Sequence, residues 1–555
     1  MSRKLLTMLV VCTMSLGIFS GCSSESSQKD NAITDTSIGK VGTENIDPFG
    51  KYEEPVKVTG VLSFSAAPSN VPSDITPDTN TFITVAEDMM NIDFEWLWTA
   101  PVDQYNQKLG VAMASGELPD IIGVNAIDYQ TLLENEQIMP WNEVLPWASE
   151  TLTEWIYRDP EVLETVTTED GNIMAIPQYW DPKRNVNIMM IRTDWLEQVN
   201  MEIPKTVEEL EAVATAFKEQ IGAEVGISLS KDVLAGTSSL ASLMNMVGSY
   251  PSAWIEDESG ELVPGEIQPE TKEALAVLNR FYEKGLIHKE FALHDGTKIR
   301  EKIMAEELGI FIAPWWGFDA YVGKEIAKNQ DSKWATVAIP KAPGTKGAIM
   351  DSISIEKYWV INSECENPEA VMKLFNLFVK FETEYPEEAK PENGFAWNWV
   401  PTQFFDPYDM DILHEAFNTQ IATGDFNTVP EGIVGPNAIL WEEAENYYKW
   451  KAGEIPYDEA NKWGKYLARI DEDYAWGTTR RLVEEEEYEI NKFYGAPTET
   501  MRDRRSTLDK LTEETYVKMV MGEMPITKFD EYVKSWLALG GEDIIEEVNE
   551  WHESK

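Results

Sequence analysis

The sequence is short of basic residues, with 46 Lys and Arg against 97 Asp and Glu and a net charge of −51. Nucleic-acid binding needs a basic surface, so this balance argues strongly against a nucleic-acid partner. It also disfavours adsorption of the folded body to anionic lipid. Beyond the N terminus, no apolar run reaches the roughly 20 residues that span a bilayer. The acidic surplus instead predicts a well-solvated surface.

Cysteine and histidine are also scarce, with 3 and 4 residues respectively. None of the histidines is spaced with another residue as a metal-binding pair, and no phosphate-binding loop is present. We therefore predict no catalytic residue, no metal and no cofactor. The 97 acidic residues nevertheless supply chance carboxylate pairs, so sequence alone leaves a glycosidase open.

The N terminus has the features of an export signal. Arg3 and Lys4 precede an apolar run from Leu5 to Phe19, which is too short to span a bilayer and is followed by small residues. Ser20-Gly21-Cys22 resembles a bacterial lipobox. The resemblance implies a signal peptide over 1–21 and a lipid on Cys22, which places the protein on the extracellular face of the cell membrane. The alternative is an ordinary secretory signal with a chance cysteine.

Residues 22–54 are polar and short of large apolar side chains, which predicts a flexible tether. Cys12 would be removed with the signal and Cys22 lipidated, so that Cys365 has no partner for an intramolecular disulfide. An exported protein without disulfides depends on a large hydrophobic core. About 500 residues follow the tether, enough for two or more domains.

From residue 55 onward, strand-like and helix-like patterns alternate. Pro55 to Ala66 predicts a first strand, and Ile92, Phe94, Trp96 and Trp98 alternate along another. Thr206 and Glu209 form a capping box at a helix start. This alternation predicts an α/β fold with a mostly parallel sheet, followed by a helical, acidic C-terminal region.

Four stretches in order resemble the extracellular solute-binding proteins of ABC importers. They are "ASGELPDIIGVN", "DGNIMAIPQYW…MMIRTDWLEQV", "MAEELGIFIAPWWGFDAY" and "YWVINSECENPEAVMKLFNLF". The branch that they resemble is the maltose-binding type of oligosaccharide binder, in its large Gram-positive lipoprotein form. The likeness covers nearly all of the chain after the tether.

The resemblance implies a two-lobe periplasmic-binding-protein-like fold, with crossing hinge strands and a ligand cleft between the lobes. We expect lobe 1 to span 55–173 plus about 360–440, and lobe 2 to span 177–356 plus about 441–555. The implied partners are an oligosaccharide and the permease subunits of an ABC transporter, with the chain acting as a monomer. Some large relatives carry a calcium loop where this chain reads "KEQIGAEVGIS", which lacks the oxygen ligands, so we predict no metal there.

Sugars present apolar faces and hydroxyl rims, so a sugar site combines flat aromatic rings with planar polar groups. The chain has 20 Trp, 20 Tyr and 20 Phe. Trp315 and Trp316 follow an apolar strand and precede Gly317, where the resemblance places a stacking tryptophan. In an extended chain they would point to opposite faces, so one or both could reach ligand. The alternative is that both pack in a core.

The resemblance implies that "NIMAIP" is the first crossing strand and that the segment around Ile353 to Val360 is the second. The other candidates follow the first of these strands or lie on lobe 1. Tyr179 or Trp180 could stack on sugar, Asp181 could accept from hydroxyls, and Arg184 could bind the carboxylate of a uronic acid. The alternative is a solvent-exposed loop. The further candidates are Asn125, where relatives face ligand, Trp98 at a strand end, and Trp397, which flanks Asn398 together with Trp399.

These features predict a lipid-anchored receptor that captures an oligosaccharide for an ABC transporter. Two alternatives belong to other classes. One is a lipid-anchored polysaccharide-degrading enzyme, either a glycosidase or a lyase. The other is a binding protein that serves a sensor kinase.

Overall fold

The strands are short and belong to several small sheets. The structure is a computed structural model that describes residues 46–555 except 65–70, 386, 427, 431–432, 434–436 and 458–462. The predicted signal peptide, Cys22 and the tether up to residue 45 lie outside the described residues. The strands of the described part are β1 (Val56–Phe64), β2 (Ile92–Pro101), β3 (Ile121–Val124), β4 (Ile138–Met139), β5 (Ile176–Trp180), β6 (Ile188–Arg192), β7 (Trp254–Glu256), β8 (Leu262–Pro264), β9 (Ile310–Ala313), β10 (Trp334–Val337), β11 (Ala348–Asp351), β12 (Ser354–Asn362) and β13 (Tyr488–Asn491).

Helices separate these strands and dominate the chain after β12, as the sequence predicts. In the described ranges they are α1 (Thr81–Met90), α2 (Val102–Ser115), α3 (Ala126–Glu134), α4 (Glu150–Ile156), α5 (Pro160–Glu164), α6 (Thr193–Val199), α7 (Val207–Ala216), α8 (Leu240–Met244), α9 (Pro269–Glu283), α10 (Gly296–Met304), α11 (Gly323–Lys328), α12 (Pro368–Thr383), α13 (Asp409–Thr423), α14 (Ala438–Lys451), α15 (Gly464–Arg469), α16 (Ala475–Glu484), α17 (Glu499–Val520), α18 (Phe529–Trp536) and α19 (Glu542–Glu553). The predicted capping box at Thr206 and Glu209 is confirmed. None of these helices is long and apolar enough to cross a membrane.

The first hydrophobic core forms around α12 and the sheet of β3, β12 and β4. α12 is buried on nearly every side from Ala370 to Phe381, as expected of a helix with apolar residues all round. Trp141 is fully buried, donates its indole N–H to the Trp359 carbonyl at 3.1 Å, and packs edge to face on Phe375. This core fixes the strand ends that lead into the hinge.

β5 and β12 are paired antiparallel and connect the first core with the remainder of the chain. Trp180 lies opposite Ser354, and Tyr179 lies opposite Ile355. The register shifts between Ile355 and Lys357, which is the signature of a β-bulge. β5 overlaps the stretch "NIMAIP" and β12 overlaps Ile353–Val360, the two segments expected to cross between the lobes, and their role as a hinge stays a prediction.

The expectation of a mostly parallel sheet is wrong for the described strands. β1 and β2 pair parallel, as do β11 and β13. β12 instead runs antiparallel to β3, β4 and β5, and β6 runs antiparallel to β9 and β10. Alternation of helices and strands predicts parallel neighbours only when consecutive strands pair. Here β12 returns from a distant part of the chain and enters the sheet in the opposite direction.

The sheet of β10, β6 and β9 separates a second core from a third. Ile191 and Ile312 face the second core, which includes residues of α7, α9 and α17 to α19. Met190 and Phe311, one position along each strand, face the third core, which includes residues of α13 to α16. Successive side chains on a strand point to opposite faces, so both faces of this sheet are buried. That explains why β6 and β9 are continuous apolar runs.

Packing differs from the predicted domain boundaries in two places, while the division into lobes itself stays a prediction. Met410, Leu413 and Phe417 of α13 lie in the third core, although the sequence places residues up to about 440 in lobe 1. Their spacing shows that a helix buries one face. It does not show which core receives that face.

The described residues include the last part of the predicted tether, and this part packs on the folded body. Phe49 and Tyr52 pack against the first core. Lys373 of α12 donates to the Gly50 carbonyl at 2.7 Å and lies 4.0 Å from the centre of the Tyr52 ring. The two aromatic side chains supply the burial that a polar segment lacks, which fixes this short stretch to α12.

Candidate ligand-binding site

Trp180 ends β5 beside the partner strand β12. Its indole N–H donates to Oε2 of Glu356 at 2.5 Å. Phe405 lies 5.4 Å from its ring, and the Arg184 guanidinium lies 4.0 Å from the centre of the same ring. The indole is partly exposed, but these contacts occupy much of its surface. The face of Trp180 that could stack on a sugar is thus in contact with the Arg184 guanidinium.

Arg184 is held by a short turn that follows Trp180. Asp181 begins the turn Pro182–Asn185 by accepting the Lys183 backbone N–H at 3.0 Å. The Arg184 guanidinium donates to Oδ1 of Asp409 at 2.5 Å. Burial lowers the pKa of Arg184, the charge of Asp409 raises it, and the nearby charge of Arg469 lowers it. The turn thus orients a largely buried cation toward α13 and α15.

Trp315 lies inside the third core and is only 5% exposed. Its ring packs edge to face on Trp476 at 6.0 Å. Two guanidinium groups lie near the same indole, that of Arg184 at 5.5 Å and that of Arg469 at 5.3 Å. The structure therefore makes Trp315 a support for two cations and not an open stacking platform.

Trp316 has the opposite environment, with 38% of its surface exposed. The chain turns helical at Trp316, so that neighbouring side chains diverge by about 100° and not by the 180° of a strand. A Cβ on Gly317 would lie 2.4 Å from Cβ of Ala313, so the turn can pack against β9 only with glycine there. The tight turn buries the first tryptophan and leaves the second accessible.

Tyr179 and Asp181 lie deeper than a ligand-binding loop would place them. Tyr179 is 3% exposed and packs edge to face near Tyr408. Asp181 is 4% exposed and forms an ion pair with Lys183 at 2.9 Å. Tyr179 belongs to β5, so the loop interpretation is wrong for it, because the hinge strand extends through Trp180.

The other three candidates contact different neighbours. Asn125 is exposed and caps α3, accepting from the Asp128 backbone N–H and donating to its carboxylate, each at 2.9 Å. Trp98 is half-buried beside Tyr105 and Lys108. Trp397 is 55% exposed, whereas Trp399 is 3% exposed. Their roles in binding stay predictions.

The sequence missed the residues that join Arg184 and Trp315. Asp409, Arg469 and Trp476 come from α13, α15 and α16, in the acidic C-terminal region. The sequence held one signal, and it concerned Arg469 alone: a basic residue within an acidic stretch is a candidate for a specific role. We call Trp180, Arg184, Trp315, Asp409 and Arg469 the arginine–tryptophan cluster.

Buried carboxyl groups surround this cluster. Burial raises the pKa of Glu382 to about 7, Asp409 raises it further and Arg469 opposes the shift. Burial likewise raises the pKa of Glu443 to about 7, although the Tyr466 backbone N–H, Lys465 and Arg469 favour its charged form. Near neutral pH each of these two groups therefore lies close to the midpoint of its titration.

Two surface cavities lie elsewhere and contain no residue of the arginine–tryptophan cluster. One, of about 610 Å³, is lined mainly by Glu161, Glu164, Glu169 and three threonines. The other, of about 410 Å³, is lined by Lys205, Lys341, Lys346 and neighbouring residues. Neither combines an open tryptophan with planar polar groups. Among the described residues no group of three or more His, Cys, Asp or Glu side chains is placed to hold a metal.

Comparison with known proteins identifies the family. Residues 90–380 match the family model for bacterial extracellular solute-binding proteins. The chain is 21% identical over 486 residues to the polygalacturonan/rhamnogalacturonan-binding protein YtcQ of Bacillus subtilis, covering 85% of this chain and 88% of that protein. It is 25% identical over 232 residues to the fructooligosaccharide ABC transporter substrate-binding protein FusA of Streptococcus pneumoniae, covering 39% and 43% of the two chains.

Solved structures agree on the fold. The alginate-binding protein AlgQ2 has a TM-score of 0.61 at 16% identity, covering 91% of this chain and 99% of its own. FusA in complex with kestose has a TM-score of 0.60 at 15% identity, covering 90% and 100%. The chain belongs to the bacterial extracellular solute-binding protein family, and the predicted two-lobe periplasmic-binding-protein-like fold is confirmed.

We expect Trp315→Ala to destabilise the fold, because it empties a buried site and removes the ring beneath two guanidinium groups. The loss should be about 3–5 kcal/mol, measured by denaturant unfolding. Trp316→Ala is the matched control and should cost less, about 1–2 kcal/mol, since its side chain is more exposed than that of Trp315. Equal losses in the two variants would contradict the assignment of one tryptophan to the core.

The raised pKa of Glu443 predicts a pH-dependent gain from Glu443→Gln. The folded chain keeps a proton on Glu443 up to pH of about 7, whereas the ordinary value is 4.5, so stability from this group is lost as pH rises through 7. Glutamine keeps an acceptor for the Tyr466 N–H without the charge. We expect Tm to rise by about 2 °C at pH 8 and to stay unchanged at pH 5. Glu442→Gln, at an exposed neighbour, should change neither; equal shifts of Glu443→Gln at both pH values would disprove the prediction.

Proposed function

We propose that this protein is a lipid-anchored receptor that captures an oligosaccharide at the extracellular face of the membrane and presents it to an ABC permease. Family membership supports the class, since the family consists of solute-binding proteins. Three similar proteins are named for different carbohydrates. YtcQ is named for polygalacturonan and rhamnogalacturonan, FusA for fructooligosaccharides and AlgQ2 for alginate. The observation that carries the proposal is the exposed Trp316, adjacent in sequence to Trp315, whose buried indole lies near the guanidinium groups of Arg184 and Arg469.

The mechanism is a shift of population between open and closed lobes. Ligand that touches both lobes only in the closed state stabilises that state by its difference in affinity. Trp316 supplies flat contact area from the second lobe. Arg184, on the turn that follows β5, lies beside the hinge, so a ligand held there would oppose reopening. No bond is made or broken in this cycle, and the lobe boundaries belong to the proposal.

A panel of oligosaccharides read by thermal shift tests this function. The panel contains oligogalacturonates, alginate oligomers, kestose and malto-oligosaccharides. Binding to the folded chain alone must raise Tm. We expect at least one member to do so and to be recovered intact. New reducing ends or unsaturated products would favour the polysaccharide-degrading enzyme, and a panel without any shift would count against carbohydrate binding.

In the same assay, Trp316→Ala should weaken the strongest ligand by about 1–3 kcal/mol, the scale of a truncated aromatic anchor. Calorimetry gives the dissociation constant directly. Leu539→Ala is the control, because Leu539 is a similarly exposed apolar residue in the C-terminal region, 44% exposed. Unchanged affinity in Trp316→Ala would remove this residue from the site.

Anchoring through Cys22 has its own test. Cys22→Ser removes the thiol that a lipid would modify, so we expect the full-length variant to be released from the membrane fraction. Cys365→Ser changes the other cysteine of the mature chain and should stay membrane-bound. Retention of both variants would show that Cys22 is not the anchor.

A further inference from the structure

Two guanidinium groups converge on one buried indole, and only one of them has a close carboxylate partner. Arg184 is paired with Asp409 at 2.5 Å. Arg469 has no Asp or Glu oxygen within 4.0 Å in the described part of the chain, and its buried Nε has no hydrogen-bond partner there. Arginine cannot shed its proton at any physiological pH, so the charge persists. Such a cation, partly removed from water, is costly unless an acceptor meets it.

The carboxyl groups that surround Arg469 compensate its charge poorly. The charge of Arg469 acts on three carboxyl groups, those of Asp319, Glu382 and Glu443. All three lie beyond ion-pair distance from it. Burial raises the pKa of each, so that the protein itself favours their neutral forms more than a surface carboxyl would. Because none of the three lies within ion-pair distance, the Arg469 guanidinium has no direct carboxylate partner among the described residues.

We infer that the ligand carries a carboxylate and that Arg469, beside Arg184, binds it; the substrate class is an acidic oligosaccharide containing uronic acid. This inference rests on the proposed function. A guanidinium presents a planar fork of donors that matches a carboxylate. The exposed ring of Trp316, adjacent in sequence to the indole beneath both cations, matches the apolar face of a sugar ring. A uronic acid combines these two chemistries in one residue.

An anionic ligand would have to approach a protein whose overall charge is strongly negative. A chain of net charge −51 repels an anionic polymer over most of its surface. A neutral sugar would need no cation in the cleft. An acidic one needs a positive site strong enough to offset that repulsion, and the arginine–tryptophan cluster provides two cations on one ring.

The experiment compares trigalacturonate with its methyl ester, which keeps the sugar stereochemistry but removes the charge. Trimannuronate and kestose serve as a second acid and a neutral ligand, all measured by calorimetry. We expect wild-type protein to bind one of the acids at least tenfold more tightly than any neutral probe. Arg469→Met should weaken acid binding by about 10–100-fold and leave ester binding unchanged. Arg469→Lys should recover part of the loss, since it keeps the charge without the fork.

Arg504→Met is the charge-matched control, because Arg504 is exposed on α17 and lies outside the cluster. It should leave both ligands unaffected, and thermal unfolding confirms that each variant is folded. Equal binding of acid and ester, or acid binding that Arg469→Met does not weaken, would overturn the inference while the proposed function stands. Binding of none of the probes would overturn both.

Discussion

The antiparallel pairing of β5 with β12 is the constraint on which the candidate site depends. It places Trp180 opposite Ser354, and its bulge lies next to Glu356, which accepts from the Trp180 indole. The paired part of β5 ends at Trp180, where the ladder with β12 ends at Ser354. The turn that begins at Asp181 therefore starts at a defined point. That turn presents Arg184 to Trp180 and Trp315 at once. In the proposed receptor, a hinge strand and a ligand-binding residue would thereby be parts of one short segment.

The net charge of the protein is strongly negative, but two positive charges lie together at one place in its interior. Acidic residues outnumber basic ones about two to one, yet Arg184 and Arg469 meet at a single indole. Buried carboxyls nearby have raised pKa values, so they weaken the local field less than their number suggests. A strongly acidic exterior that keeps the protein dispersed is therefore compatible with a positive interior site.

Strands and helices with a strong apolar or capping pattern could be predicted from the sequence. Which distant residues meet in the folded chain could not. The strand Ile310–Ala313 and the capped helix α7 followed from apolar runs and a capping box. Burial of Trp315 did not, because two adjacent tryptophans after Pro314 fit a strand end as well as a helical turn. Arg469 and Asp409 were missed for a different reason: they lie far along the chain from Arg184, and spacing in sequence carries no information about such a meeting.

The fixing of residues 49–52 to α12 has a mechanical consequence. Lys373 and Asn376 hold the carbonyls of Gly50 and Pro48, so any pull transmitted from a lipid at Cys22 would reach the folded body through α12. α12 belongs to the first core, whereas Trp315 and the helix carrying Arg469 belong to the third. In the proposed receptor, the half built on the first core would therefore be the anchored one, and the half that carries Arg469 would move relative to it.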